Sequence, residues 1–208
     1  VVHVLAIGAD AGSDSDYART KGEGEAAVLA AFPTAVILRP SVVFGTEDSF
    51  FNRFAAMTRF GPILPVVGAK TRFQPVFADD VAQAAVKGVL GQAAPGIYEL
   101  GGPEVDSFRG LMGRMLHVVQ RRRAVVNLPF FLARIIGFGF DIVQAVTLGL
   151  VENKVLTRDQ VKNLQHDNVV SAGAKGFADL GITPTAMEAV LPEYLWRYRR
   201  SGQYAAIM

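Results

Sequence analysis

The sequence predicts an α/β fold: an open sheet of parallel strands layered with helices, followed by a smaller and mostly helical region. Three observations lead there. Short β-branched runs alternate with helix-length segments in the order strand, helix, strand across Val1–Ile7, Tyr17–Phe32 and Ala35–Leu38. The 208 residues are 50% hydrophobic and 19% charged, enough to bury a core as one or two small domains and unlike a disordered or fibrous chain. The charge is uneven: residues 1–108 hold 8 basic and 12 acidic side chains and residues 109–208 hold 13 and 7, so the second half is basic although the net charge is only +2. So small a sum does not mark a nucleic-acid binder, and no nucleic-acid partner is expected.

Val1–Ile7 is a continuous apolar run ended by Gly8, the pattern of a buried parallel strand, and it lacks the charged start of a secretory signal. Ser13 and Asp16 stand at capping-box spacing before the helical stretch Tyr17–Phe32, which Pro33 closes. Ala35–Leu38 is a second buried strand running into Arg39-Pro40. In such a sheet, ligands gather at the carboxyl ends of the strands. From Phe50 to Phe60 apolar residues recur at helical spacing until Gly61-Pro62, so Phe50, Phe51 and Phe54 are expected in the core. Phe73–Phe77 reads as a short strand with Pro75 at an edge or bulge. Asp79 and Asp80 open the helix Val81–Leu90, where carboxylates complement the dipole. Tyr98–Leu100 is a strand before Gly101-Gly102-Pro103, and the helix Ser107–Val119 ends in Arg121-Arg122-Arg123. Leu128–Val151 is the most apolar segment, but Arg134, Asp141, Gln144, Gly137 and Gly139 argue against a membrane span and for a buried helix or a surface laid on a membrane or large partner. Thr185–Tyr204 reads as an amphipathic helix.

The absence of Cys excludes thiolate chemistry and cysteine metal sites, and His3, His117 and His166 show no ligand spacing, so no metal centre is expected. Tyr17 and Lys21 lie four apart and therefore on one helix face. An ammonium beside a phenol favours the phenolate and lowers its pKa, as a Tyr acid/base requires near neutral pH. Alone that spacing also describes an ordinary exposed pair.

This Tyr-x-x-x-Lys is followed by AVILRPSVVFG, RFQPVFADDVAQA and GIYELGG. Together these resemble the extended and atypical short-chain dehydrogenase/reductase superfamily, the relatives of nucleotide-sugar epimerases and dehydratases. The resemblance implies the C-terminal part of a Rossmann-like, doubly wound parallel sheet with a smaller helical C-terminal domain. It divides the chain into a partial dinucleotide-binding domain at 1–106 and a helical domain at 107–208, with Phe73–Phe77 and Tyr98–Leu100 as crossings between them. It also implies Tyr17 as the acid/base, Lys21 as the ribose-holding cation, and Pro40, Ser41 and Val42 as the nicotinamide pocket. Two departures stand out. The Gly-rich turn that cradles a pyrophosphate is absent, as expected of a chain that starts in mid-fold. And Leu5-Ala6 stands where active members place a Ser or Thr beside the substrate oxygen, while Ser13 and Ser15 read as helix-capping residues.

A narrower resemblance rests on PSVVFGTEDSFFNRFAAMTRFGPILP, LPFFLARII, the block Thr157-Arg158-Asp159-Gln160, and Leu180-Gly181-Ile182 with the C-terminal run behind it. These blocks resemble the family of NADPH-binding accessory subunits of respiratory complex I and their bacterial homologues, which also lack the catalytic hydroxyl. That likeness implies a noncatalytic subunit holding NADP(H) structurally, with complex I subunits near the quinone-binding junction as partners. It also implies a peripheral contact with the membrane surface, on the cytoplasmic face of the bacterial inner membrane or the matrix side of the mitochondrial one. Phe130, Phe131, Ile135, Ile136, Phe138 and Phe140 would bury against a partner while Arg121–Arg123 meet lipid phosphates or acidic surfaces, or else cap a solvated helix end. The competing reading is an active NAD(P)-dependent epimerase, dehydratase or reductase, with NAD(H) as an alternative cofactor.

Overall fold

A computed structural model describes residues 1–133, 135 and 158–204. Its organising element is a parallel three-stranded sheet in the order β1 (Val2–Val4), β2 (Val36–Pro40), β7 (Gly96–Leu100), with Leu38 facing both Val4 and Tyr98. The central β2 is the apolar run Val36-Ile37-Leu38, almost wholly buried, as a strand covered on both faces must be. The expected strand Val1–Ile7 is shorter and less buried than its composition suggests: Val1 and Val4 are exposed because β1 is an edge strand here. Its pairing nevertheless continues irregularly, with Leu5 N donating to Leu38 O (2.8 Å) and Ile7 N to Pro40 O (3.0 Å).

Helix α1 (Asp16–Ala31) joins β1 to β2, and α3 (Ala78–Val89) leads to β7. The chain between them leaves the sheet through β3 (Val43–Phe44), α2 (Phe51–Met57), β4 (Ile63–Val67), β5 (Arg72–Phe73) and β6 (Val76–Phe77). The expected strand Phe73–Phe77 is thus two strands broken at Gln74-Pro75. Strand β6 pairs in parallel with β3, and β5 pairs antiparallel with β8 (Asp106–Ser107). Strand β8 runs directly into α4 (Phe108–Val118), whose N-cap is Ser107. A parallel pair that the sequence did not announce, β4 with β9 (Ala124–Leu128), completes the second unit. Helices α5 (Arg158–Asn163) and α6 (Met187–Leu195) follow.

Two main cores result. One packs β2, β7 and α3 against Phe177, Leu180 and Ile182. The other gathers Phe44, Phe51, Leu64, Phe108, Met112, Leu191 and Leu195 from β3, α2, β4, α4 and α6. Asp80, expected only as a dipole partner, is 2% exposed and accepts hydrogen bonds from Thr185 N (2.6 Å) and Thr185 Oγ1 (3.1 Å), fixing the approach to α6. The helix expected over Thr185–Tyr204 is α6 followed by separate 3-10 turns. Pro192 leaves the Glu188 carbonyl without its helical donor, and extended Arg199 turns away to donate from Nε to Val118 O (2.8 Å). Of the apolar segment Leu128–Val151, residue 134 and residues 136–151 lie outside the described residues. Among those described, no helix is long and apolar enough to cross a membrane.

Candidate functional site

The carboxyl ends of β1 and β2 open onto a cavity of about 920 Å³, roofed by α2, β4, the start of α4 and the segment 159–168. It lies at the upper end of the ~300–1,000 Å³ typical of small-ligand sites. Tyr17, Pro40, Ser41 and Val42 all line it. The structure therefore brings four of the five expected site residues to one wall. Lys21, the fifth, neighbours Tyr17, its Nζ 5.7 Å from the centre of that ring.

Helix α1 presents Tyr17 in its first turn. The N-cap is Ser15 and not Ser13: Ser15 Oγ accepts from Ala18 N, while Ser13 Oγ accepts from Ser15 N. A second carboxylate arrives from the far end of the chain. Asp159 accepts from Ser15 Oγ (3.0 Å), Asp16 N (2.9 Å) and Tyr17 N (3.0 Å), and Lys162 Nζ donates to Asp14 O (2.7 Å). Since Asp159 is in the first turn of α5, one carboxylate serves the positive ends of two helices. This gives Asp159 a physical role: it clamps the helix that carries Tyr17. Loop 8–15 is held against the same helix so closely that a β-carbon on Gly22 would fall 2.2 Å from Ala11 N.

Strand β2 is locked to α1 by Arg39, whose Nε and Nη2 each donate at 2.7 Å to Glu25, with Glu99 of β7 at 3.6 Å. Glu99 also accepts from Ser171 N (2.7 Å). One residue past β2, the Ser41 hydroxyl donates to Asn168 Oδ1 (2.6 Å), while Asn168 Nδ2 reaches Ile7 O (3.4 Å). Ser41 thus holds the returning segment over the strand ends as well as lining the cavity.

The phenol of Tyr17 does not behave as the spacing suggests. Burial raises its pKa above the ordinary tyrosine value, and Lys21 above the ring does not offset this. At the end of β1, Leu5 and Ile7 are buried and Ala6 lines the cavity between them, so that stretch offers no side-chain hydroxyl. Sequence reasoning gave no role to Asp159, Asn168 or Arg53. Asp159 alone carried a signal, an acid in the first turn of a short helix.

Residues 11–123, more than half of the chain, match the family model described as the RmlD substrate binding domain. The chain belongs to that family. Nearly all of this RmlD-type chain is also similar to curated proteins of another description. It is 34% identical over 205 residues to NADH dehydrogenase (ubiquinone) 1 alpha subcomplex subunit 9 of Arabidopsis thaliana, covering 97% of the chain and 51% of that protein. It is 28% identical over 204 residues to the NADH-ubiquinone oxidoreductase 40 kDa subunit of Neurospora crassa, covering 98% and 52%. The chain spans about half the length of the curated relatives it matches. Among solved structures, a dTDP-glucose 4,6-dehydratase of Streptomyces venezuelae with NAD and TYD bound superposes with a TM-score of 0.63 at 19% identity, over 98% of this chain and 60% of that one. The RmlD-type chain therefore has the Rossmann-like α/β architecture of the epimerase/dehydratase short-chain dehydrogenases, a fold that holds nucleotide cofactors.

Proposed function

We propose that the protein carrying this chain is a noncatalytic accessory subunit of respiratory complex I that holds NADP(H) as a structural ligand and stabilises the junction of the hydrophilic and membrane arms. The observation that carries this reading is the apolar stretch Leu5-Ala6-Ile7 lining the same cavity as Tyr17, in a chain similar along nearly its whole length to complex I subunits. Losing one preorganised donor to a reacting oxygen costs on the order of 10²–10³ in rate. Two neighbouring hydroxyls are committed elsewhere, Ser15 to Asp159 and Ser41 to Asn168.

The residues present fit the nicotinamide and ribose end of the cofactor. Tyr17 and Lys21 would hold the ribose, and Pro40, Ser41 and Val42 would line the ring; this chain holds no Gly-rich turn for the pyrophosphate. The cofactor brings a hydride-carrying ring, and bound here its contribution is to order α1 and the strand ends, since a ligand that binds only the folded state stabilises it. Residues 1–106 supply this nucleotide side, with the excursion from β3 to β6 crossing into the helical part at 107–208. On that part Phe131 and Ile135 are exposed, in keeping with burial against other complex I subunits or the membrane surface, on the cytoplasmic face of a bacterial inner membrane or the matrix face of a mitochondrial one.

The test is purification of the full-length protein from native membranes with the nucleotide identified by mass spectrometry. The expected result is co-purification with complex I and one NADP(H) per subunit. Recovery only as a free protein would sink the reading. Turnover that vanished in Tyr17→Phe would restore the epimerase or reductase alternative.

A further inference from the structure

The cavity is chemically two-ended. Tyr17, Ser41, Asp159, Gln160, Asn163 and Asn168 collect where α1, α5 and the strand ends meet. Elsewhere α2, β4, β5 and the first residue of α4 supply Phe54, Met57, Val66, Phe73 and Phe108, with Arg53 of α2 and Ser49 before it as the polar groups of that side. These aromatic rings form a braced panel: Phe50 stacks on Phe108 at 5.5 Å, and Phe54 and Phe73 meet Phe108 edge-on at 5.3 and 5.6 Å. Rings held by one another do not close into the space beside them, which leaves an apolar volume with a polar mouth.

The charge of the wall narrows the occupant. Among the described residues its ionic side chains are Arg53 and Asp159, which sum to zero, and Arg53 lies over the Phe54 ring at 5.7 Å. A nucleotide sugar would bring a diphosphate, and burying that charge in a wall whose one arginine is offset by a carboxylate is unfavourable. A hydrocarbon chain gains by leaving water for such a wall in proportion to the apolar area covered. At the polar mouth the carboxylate of Asp159 repels an anionic head, while the carboxamides of Gln160 and Asn163 and the protonated phenol of Tyr17 suit an uncharged one with carbonyl or hydroxyl oxygens.

We propose that this cavity binds a long-chain lipid with an uncharged, hydrogen-bonding head, the chain lying along the Phe54, Met57 and Phe108 wall and the head beside Tyr17 and Asn163. The proposal goes beyond the accessory-subunit reading and does not depend on it, because lipid occupancy and complex I membership are read by separate measurements.

The test uses the full-length protein and a fluorescent nitrobenzoxadiazole-labelled dodecanamide as probe. The expected result is saturable binding at one probe per protein, unaffected by excess UDP-glucose. Val43→Trp, which fills the wall from a partly exposed position, and Met57→Arg, which puts a charge in it, should each weaken binding by at least about tenfold. Nucleotide content should stay at the wild-type value in both, Met57→Arg losing some thermal stability because Met57 packs against the core, and Val89→Arg on an exposed face of α3 should leave binding unchanged. Should either wall variant fail to fold, the lipid extracted from the wild-type protein is decisive: a neutral long-chain species near one equivalent supports the assignment. Absence of saturable binding, binding indifferent to folded wall variants, displacement by UDP-glucose, or recovery of a charged phospholipid instead would overturn it.

Discussion

Arg39→Met tests whether the site is assembled by the α1–β2–β7 ion network. Arg39 makes a bidentate contact with Glu25 at 2.7 Å and lies 3.6 Å from Glu99, and these carboxylates are 7% and 8% exposed. Removing the cation leaves two buried carboxylates without their charge partner, and breaking a buried pair in this way costs about 3–5 kcal/mol. The Arg39 side chain is itself 19% exposed and Glu99 keeps its bond from Ser171, so the lower end, about 3 kcal/mol, is the expected loss. For a domain of this size that is a fall of roughly 6–12 °C in Tm. Arg39→Lys keeps the charge but not the planar fork and should fall between the two. Urea unfolding followed by circular dichroism gives the values, with Arg39→Met/Glu25→Gln as the second corner of the cycle. The double variant should recover about 1–2 kcal/mol, because a neutral amide is cheaper to bury than an unpaired carboxylate. Nucleotide content should fall with Arg39→Met, since α1 carries Tyr17 and Lys21 on its preceding turns. A loss below about 1 kcal/mol, or a double variant no better than the single, refutes the network as the element that sets α1 against β2.

Other perturbations probe the clamp, the loop and the second core. Asp159→Ala removes the acceptor for Ser15 Oγ, Asp16 N and Tyr17 N but leaves the Ser15 cap, so the expected cost is about 1–2 kcal/mol, with faster proteolytic cleavage within 158–168; an unchanged cleavage rate would show that the clamp does not hold that segment. Gly22→Ala drives a β-carbon into the Ala11 backbone and should cost about 1–3 kcal/mol, whereas Gly24→Ala, with open space around it, should be neutral or slightly stabilising. The Tyr194 phenol is buried and donates to Asp48 (2.5 Å), and both burial and that carboxylate raise its pKa. The folded state therefore holds this proton more tightly than the unfolded state does. Its stabilisation is complete below about pH 10 and is lost as pH rises beyond it. Urea midpoints from pH 8 to 11.5 should fall more steeply for the wild type than for Tyr194→Phe. Equal slopes would remove Tyr194 as a source of the alkaline limit, leaving Tyr17, which is raised by burial in the same sense.

What the sequence disclosed and what it hid divide along the range of the interactions involved. Helix α1 was legible because its signals are local: Ser and Asp at its start and Pro33 at its end bracket a stretch with helical periodicity. Of the two serines read as caps there, Ser15 takes the N-cap position, and its hydroxyl also donates to Asp159, more than 140 residues away in the chain. The β4–β9 pair was invisible for the same reason, since Pro65 argues against a strand and Ala124–Leu128 is too short and too polar to stand out before its partner is known. Polar residues were misread in a consistent direction. Asp80, Asn168 and Asp159 each look like a cap or turn residue in isolation, and each instead ties one region to another: Asp80 to Thr185, Asn168 to Ser41, Asp159 to the helix of Tyr17. A side chain with several hydrogen-bonding atoms has both a local and a distant use, and only the fold decides between them. Leu5 is the opposite case. No partner anywhere in the chain can give a leucine a proton to donate, so the absence of a hydroxyl at that place was readable from one dimension.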